Sequence, residues 1–383
     1  MRKNPFTSMA VLTLMWMTLG CGEAEQPLVI LKAPPVPAHA DHVVRKEVRS
    51  LAFGSCAAAR DSMPALRVAK ELRPDVFVWL GDNIYGDTDD MDSLRGCYAQ
   101  LGGVPDFQAL KESVRMLATW DDHDYGRNDA GRHFAQKDSS KWVFLEFWEE
   151  PLLSPRRRRA GVYTSTLFDG ARIDVHVILL DTRTFRDDLQ PSTGLELVAE
   201  DGTVYSADYL PHESADSTLL GPGQWAWFKA QLEVPCDVRV IGSSTQFGIA
   251  YNGYEAWANF PAEQRLMLQS LHQAAQVSIA GSETPVPTCF ISGDVHYGEM
   301  SALTVGADGK PVPAEIAPVW DITSSGITST WSFATQNGNR MHGPIMNNNV
   351  GLLRFLADDS TLVKAEIWDA AGDLRASQIL AKR

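Results

Sequence analysis

Val48-Arg49-Ser50-Leu51-Ala52-Phe53 stops at Gly54-Ser55-Cys56, a helical stretch follows over about 63–72, and Val76-Phe77-Val78-Trp79-Leu80 then stops at Gly81-Asp82-Asn83-Ile84-Tyr85. Strand, helix and strand in that order make a βαβ unit, which sets a parallel pair with a right-handed crossover. The fold class that follows is α/β. Two more apolar runs end the same way. Val114-Arg115-Met116-Leu117-Ala118-Thr119 runs into Trp120-Asp121-Asp122-His123-Asp124, and Phe290-Ile291-Ser292 runs into Gly293-Asp294-Val295-His296. Ligands of open α/β sheets bind at the carboxyl ends of strands, so loops far apart in sequence can meet there. Carboxylates and imidazoles delivered by three such ends can build a dinuclear metal centre.

Outward from these runs, strand patterns recur over 172–180, 237–241, 300–305, 319–323, 350–356 and 361–368, and helical spacing over 224–232 and 261–275. Helices thin out after the Asp294 loop, and no repeat is visible. A chain of 383 residues with 44% apolar content can bury a large core in one big domain or two. Its net charge of −14 argues against a nucleic-acid binder and against an electrostatic membrane binder, since both need clustered Lys and Arg. Carboxylates can instead hold cations.

The first residues form a processing signal: Arg2 and Lys3, an apolar stretch over 9–19 too short to span a membrane, then Gly20 before Cys21. A small residue before cysteine is the pattern of bacterial lipoproteins, in which that cysteine is acylated. Thr18 stands where such signals prefer Leu, with Leu19 one place later. Residues 1–21 are therefore read as a signal peptide with a lipobox, and the protein as exported to the periplasm or cell surface and anchored at Cys21. Cleavage nearby without a lipid is the plainer alternative. Residues 22–47, with Pro27, Pro34, Pro35 and Pro37, read as a tether, and 48–383 as the folded domain. Cys56, Cys97, Cys236 and Cys289 permit disulfides in an exported protein, but if Cys56 is a ligand the other three cannot all pair.

A lone Gly-Asp would make Asp82 a turn or helix cap. Tyr85 three residues on changes that reading, because a phenolate, a carboxylate and the Cys56 thiolate form an anionic, partly soft donor set that favours ferric iron over magnesium. Zinc stays open. In the second loop Asp122 reads as a ligand to a second metal and His123 as the group that faces substrate and protonates the leaving oxygen, with Asp124 placed to orient the imidazole. The plain alternative is an acidic loop whose histidine pairs with a neighbour. Arg127, Asn128 and Asp129 follow as phosphate or metal contacts. Asp294 and His296, alternate residues of an extended loop, would point the same way and reach different ions, against the plain reading of His296 as a core histidine. Two metals about 3.5–4 Å apart can clamp the attacking and leaving oxygens of a phosphoryl group.

Phe53-Gly54-Ser55-Cys56, Leu80-Gly81-Asp82-Asn83-Ile84-Tyr85, Trp120-Asp121-Asp122-His123, Leu180-Asp181-Thr182-Arg183, Leu220-Gly221-Pro222-Gly223-Gln224-Trp225 and Ser292-Gly293-Asp294-Val295-His296, in this order, resemble PhoD-like phosphatases. These are the alkaline phosphatase D branch of the calcineurin-like metallophosphoesterases, and the resemblance covers most of residues 48–370. It implies a four-layer α-β-β-α metallophosphoesterase sandwich of two mixed sheets. It also implies a site of Fe3+ and Ca2+, with Zn2+ or Mn2+ as other occupants, that hydrolyses phosphomonoesters and phosphodiesters by in-line attack of hydroxide. Cys56, Asp82, Tyr85 and His296 would serve iron, Asp122 and Asp294 calcium, and Asp82 would bridge. Better-known members carry Glu after the histidine, where Asp124 stands here, and an N-terminal β domain in place of the short tether.

The expected partner is a small phosphate ester, with no nucleic acid and with the membrane reached only through the lipid. Two alternatives stand beside this. One is a phospholipase-type phosphodiesterase with an apolar patch from Trp257, Phe260, Trp331 and Phe333. The other is an inactive metal-binding surface lipoprotein. Asp181 and Arg183 read either as an internal ion pair or, for Arg183, as a substrate contact. The four arginines 156–159 read as a solvated charge run or as a phosphate grip.

Overall fold

The computed structural model of the chain describes residues 39–60, 62–277, 285–356 and 361–382. The stretches read as signal peptide and tether before residue 39, with Cys21, lie outside them. A six-stranded sheet has the order Leu374–Ala381, Val363–Asp369, Asn349–Phe355, Ser50–Gly54, Val76–Leu80, Arg115–Thr119. Its last three strands are mutually parallel, and the other three antiparallel. An eight-stranded sheet has the order His42–Val44, Thr164–Phe168, Val175–Leu179, Val238–Ser243, Thr288–Ser292, Val319–Ser324, Gly298–Leu303, Arg340–Ile345, and it too mixes directions. The expected βαβ unit is present, with Phe53 opposite Val78 and the helix Pro64–Glu71 between the strands.

All five residues of Val76–Leu80 are buried because both faces of the strand are covered, which is why the run is apolar without alternation. Val76, Val78 and Leu80 meet Val177, Leu179, Val240 and Ile291 of the other sheet. Phe77 and Trp79 turn the other way, onto Leu66, Leu94, Tyr98 and Phe107 of the helices Pro64–Glu71, Met91–Gly103 and Pro105–Lys111. Ile178, Ile241 and Phe290 on the outer face of the eight-stranded sheet pack on Phe228, Leu232, Met267 and Leu268 of the helices Gly221–Leu232 and Pro261–Gln276. These are the four α-β-β-α layers. Each large side chain buried in them contributes roughly 1.5–3 kcal/mol.

The described residues begin inside the stretch read as tether. His42–Val44 pairs in parallel with Thr166–Phe168, and the Asp41 carboxylate accepts hydrogen bonds from the Ser165 amide and from Arg159. Three residues are too short for a period to register in the sequence. Three of the four arginines in the run are tied to the protein itself and not solvated. Arg156 is buried and donates to the carbonyls of Val162 and Ala118, Arg157 donates to the Glu150 carbonyl, and Arg159 lies over Tyr163 and Trp227. Only Arg158 is exposed. The four described cysteines are free.

Candidate metal centre

Three strand ends meet as expected, but they come from two sheets. Asp82 follows Val76–Leu80, Asp122 and His123 follow Arg115–Thr119 in the same six-stranded sheet, and Asp294 and His296 follow Thr288–Ser292 in the facing one. Cys56 arrives from the end of Ser50–Gly54. One donor atom each from Cys56, Asp82 and His296 lie within 4.8 Å of one another, and so do donors of Asp82, Asp122 and His123. Asp82 belongs to both groups, the position a bridging carboxylate needs.

The backbone is bent to make this possible. Cys56, Asp82, Asp294 and His296 have φ of 60°, 48°, 78° and 54°. The Gly293-Asp294-Val295-His296 loop is therefore not extended, and its two side chains are aimed by left-handed turns instead of strand alternation. Such conformations are costly for non-glycine residues and collect at functional sites. Gly81, at φ +100°, is required for a second reason: a Cβ there would lie 2.5 Å from that of Asp121.

The donors are anionic, buried and short of partners. The Cys56 sulfur lies 3.1 Å from Ser325 Oγ and 3.5 Å from Asp82 Oδ2, and burial pushes its thiol up to about 12. Burial, and then the charges of Cys56, Asp122 and Asp121, raise the Asp82 carboxyl, whose Oδ1 is buried with no hydrogen-bond partner. The Tyr85 hydroxyl is 3.0 Å from His296 Nε2, and burial followed by Cys56 and Asp82 raises its phenol. Burial and the His123 charge lower His296 to about 4. For Asp122 burial acts upward, but Arg183, His123 and the Asp129 amide outweigh it and hold the carboxyl low. A neutral imidazole, a thiol and a phenol that a cation would ionise, and an orphaned carboxylate oxygen share one space, so the residues fit a metal pair.

Asp294 joins neither group. Its carbonyl oxygen is 3.5 Å from the Cys56 sulfur, and its carboxyl is raised by burial and by Asp121, Glu255 and Asp122. Arg127 and Asn128 are exposed: Arg127 forms a two-point pair with Asp89 at 2.8 and 2.5 Å, and Asn128 donates to Asp129 at 2.6 Å. Arg183 is fully enclosed. It pairs with Asp121, with Glu255 at 2.6 Å and, at 3.8 Å, with Asp122, so it braces the ligand loop from behind. Asp181 is not its ion-pair partner; that carboxylate accepts from the amides of Val162, Arg183 and Thr184.

Asp124 does not orient the imidazole. It accepts from the amides of Asn83 and Asp121 and from the Tyr98 hydroxyl. The orienting group is Asp87, 2.7 Å from His123 Nδ1, which leaves Nε2 as the free ring nitrogen. Burial acts to lower His123, but Asp87 and Asp122 outweigh it and raise its pKa. Sequence reasoning missed Asp87, Glu255 and Ser325. Ser325 had a signal, a strand ending in Ser324-Ser325; Asp87 and Glu255 had none.

Among solved structures the chain resembles a structure of PhoD, with 15% identity, a TM-score of 0.57, and coverage of 91% of this chain and 73% of that one. It also resembles GAP50, the anchor in the inner membrane complex of Plasmodium, at 11% identity, TM-score 0.53, and 88% and 90% coverage. A third is the purple acid phosphatase PPD1 from yellow lupin (Lupinus luteus) seeds, at 11% identity, TM-score 0.50, and 90% and 54% coverage. No curated protein matches. These likenesses define the class by its fold, a metallophosphoesterase-type sandwich. A family model described as PhoD-like phosphatase matches residues 51–364, and the chain belongs to that family.

Proposed function

We propose that this PhoD-like phosphatase is an exported phosphoric ester hydrolase for phosphomonoesters and phosphodiesters, with Fe3+ held by Cys56, Asp82, Tyr85 and His296, and Ca2+ by Asp122 and Asp294 with Asp82 between them. The observation that carries it is the pair of donor groups sharing Asp82. Bound cations supply positive charge for phosphate oxygens and lower the pKa of water toward neutrality. His123, with Asp87 on Nδ1, keeps a proton at Nε2 and gives it to the leaving ester oxygen. In this reading the exposed Arg127 and Asn128, which pair with Asp89 and Asp129, would meet the substrate from the rim, while Arg183 holds the Asp122 carboxyl low. Trp257 and Phe260, once expected in an apolar patch for lipid esters, are core residues.

Export and acylation at Cys21 belong to the same proposal, as do a small phosphate ester as partner and the absence of nucleic acid. Among the described residues no helix is long and apolar enough to cross a membrane. The test is hydrolysis of bis(p-nitrophenyl) phosphate by the purified protein, with and without calcium and chelator, beside Asp82→Ala. The expected result is turnover abolished by chelator and lost together with metal in the variant. Full activity of Asp82→Ala would sink the ligand assignment. Absence of turnover of mono- and diester by metal-replete protein would favour the inactive metal-binding lipoprotein, a role compatible with the fold, since fold alone does not set activity.

A further inference from the structure

Resting on that reading, we infer that the site takes phosphate esters bearing a planar ring, aryl or nucleoside, and seats the ring against an aromatic wall beside His296. The Trp331 ring lies 5.7 Å from the His296 imidazole, and its amide donates to the His296 carbonyl at 3.2 Å, so the wall is registered to the ligand loop. Tyr254 is 5.0 Å from Trp331, Tyr205 stacks on Tyr254 at 5.4 Å and 12°, and Phe333 closes the group 5.3 Å from Tyr205 and 6.2 Å from Trp331. Three separate segments bring these rings together: the strand Val204–Ser206, the loop around Tyr254 and the loop after Ser325.

All four rings are half-buried, in contrast to Tyr297, fully buried 6.1 Å from Trp331. On the other side of His296 the rings continue through Tyr85, which lies 4.3 Å from the His123 ring. A half-exposed aromatic surface continuous with a metal-ligating histidine is apolar area left for something that arrives with the phosphate. Its chemistry selects a ring over an acyl chain. The lining is π-faces and edges with fixed polar tips, as where the Tyr205 hydroxyl donates to the Asn252 carbonyl at 2.8 Å. Stacking on such rings contributes about 1–3 kcal/mol per base, which converts to roughly 5- to 150-fold in affinity.

The experiment compares methyl-, hexyl- and phenylphosphonate binding to the metal-loaded protein by calorimetry, and as inhibitors of ester turnover. Phenylphosphonate is expected to bind about tenfold or more tighter than methylphosphonate and tighter than hexylphosphonate, which has the same number of carbons. Trp331→Ala and the more distant Tyr205→Ala are each expected to collapse the phenyl-to-methyl ratio, and Trp331→Phe to keep part of it. Equal binding of phenyl and methyl, tightest binding of hexyl, or a ratio untouched by both alanine variants would overturn the wall. Calorimetry separates this from the function reading: ring preference without ester turnover would remove the hydrolase and leave the wall, whereas turnover without ring preference would do the reverse.

Discussion

Six of the eight described non-glycine residues with positive φ are Cys56, Asp82, Asp87, Asp129, Asp294 and His296, all in the ligand loops or beside them. Left-handed backbone at ordinary residues costs about 1–3 kcal/mol each, and it persists only where the surroundings over-determine it. Here the surroundings are strand ends fixed by two sheets. The consequence reaches Asp87, whose turn brings its carboxylate to His123. Carboxylates behind a reactive imidazole are typically worth 10- to 100-fold. Asp87→Asn is accordingly expected to lower kcat by about tenfold or more with metal content, measured by elemental analysis, unchanged. An unaltered kcat would mean that the imidazole needs no such partner. None of this was readable from the chain, because a carboxylate five residues after Asp82 carries no period and no motif.

Elements act here through their ends. The strand Arg115–Thr119 ends at Asp121 and Asp122, and the loop after Val175–Leu179 brings Arg183 between them and Glu255. The three carboxylates and one guanidinium are all buried, so the pairs are sustained by one another. Removing the Arg183 cation would leave Asp121 and Asp122 buried without it, while Glu255 keeps Arg186 at 3.0 Å. Breaking a buried pair costs about 3–5 kcal/mol, and Arg183→Met is expected to lose that much in urea unfolding. A loss under about 1 kcal/mol would show that protonation of the acids suffices. The helix Met91–Gly103 escaped prediction for a related reason of scale. Only Leu94, Tyr98 and Leu101 of its thirteen residues are buried, a stripe too narrow to stand out.

Across the whole molecule, Glu150 ties the first described strand to the far sheet. It lies 3.5 Å from His42 and 3.3 Å from Arg156, and Arg156 in turn holds the Ala118 carbonyl. Burial raises the Glu150 carboxyl, but His42, Arg156 and Ser154 outweigh it and bring it down to about 2. A folded pKa below the unfolded one adds stability that is complete above about 4.5 and is lost as pH falls toward 2. Glu150→Gln is therefore expected to destabilise by about 3 kcal/mol at pH 7 and by far less near pH 2, read as unfolding free energy at both. An equal loss at the two pH values would assign the effect to shape alone. The sequence by itself determined the α/β class, the βαβ unit and the loops that carry Cys56, Asp82, Asp122, Asp294 and His296, because an apolar run and its acidic stop are local properties. Only the tertiary structure decided that these loops come from opposed sheets, that Asp82 is shared, that Arg183 is enclosed and that Trp331 flanks His296 while Trp257 lies in the core. Those facts depend on which face packs against which, and sequence spacing holds no record of contacts between residues far apart in the chain.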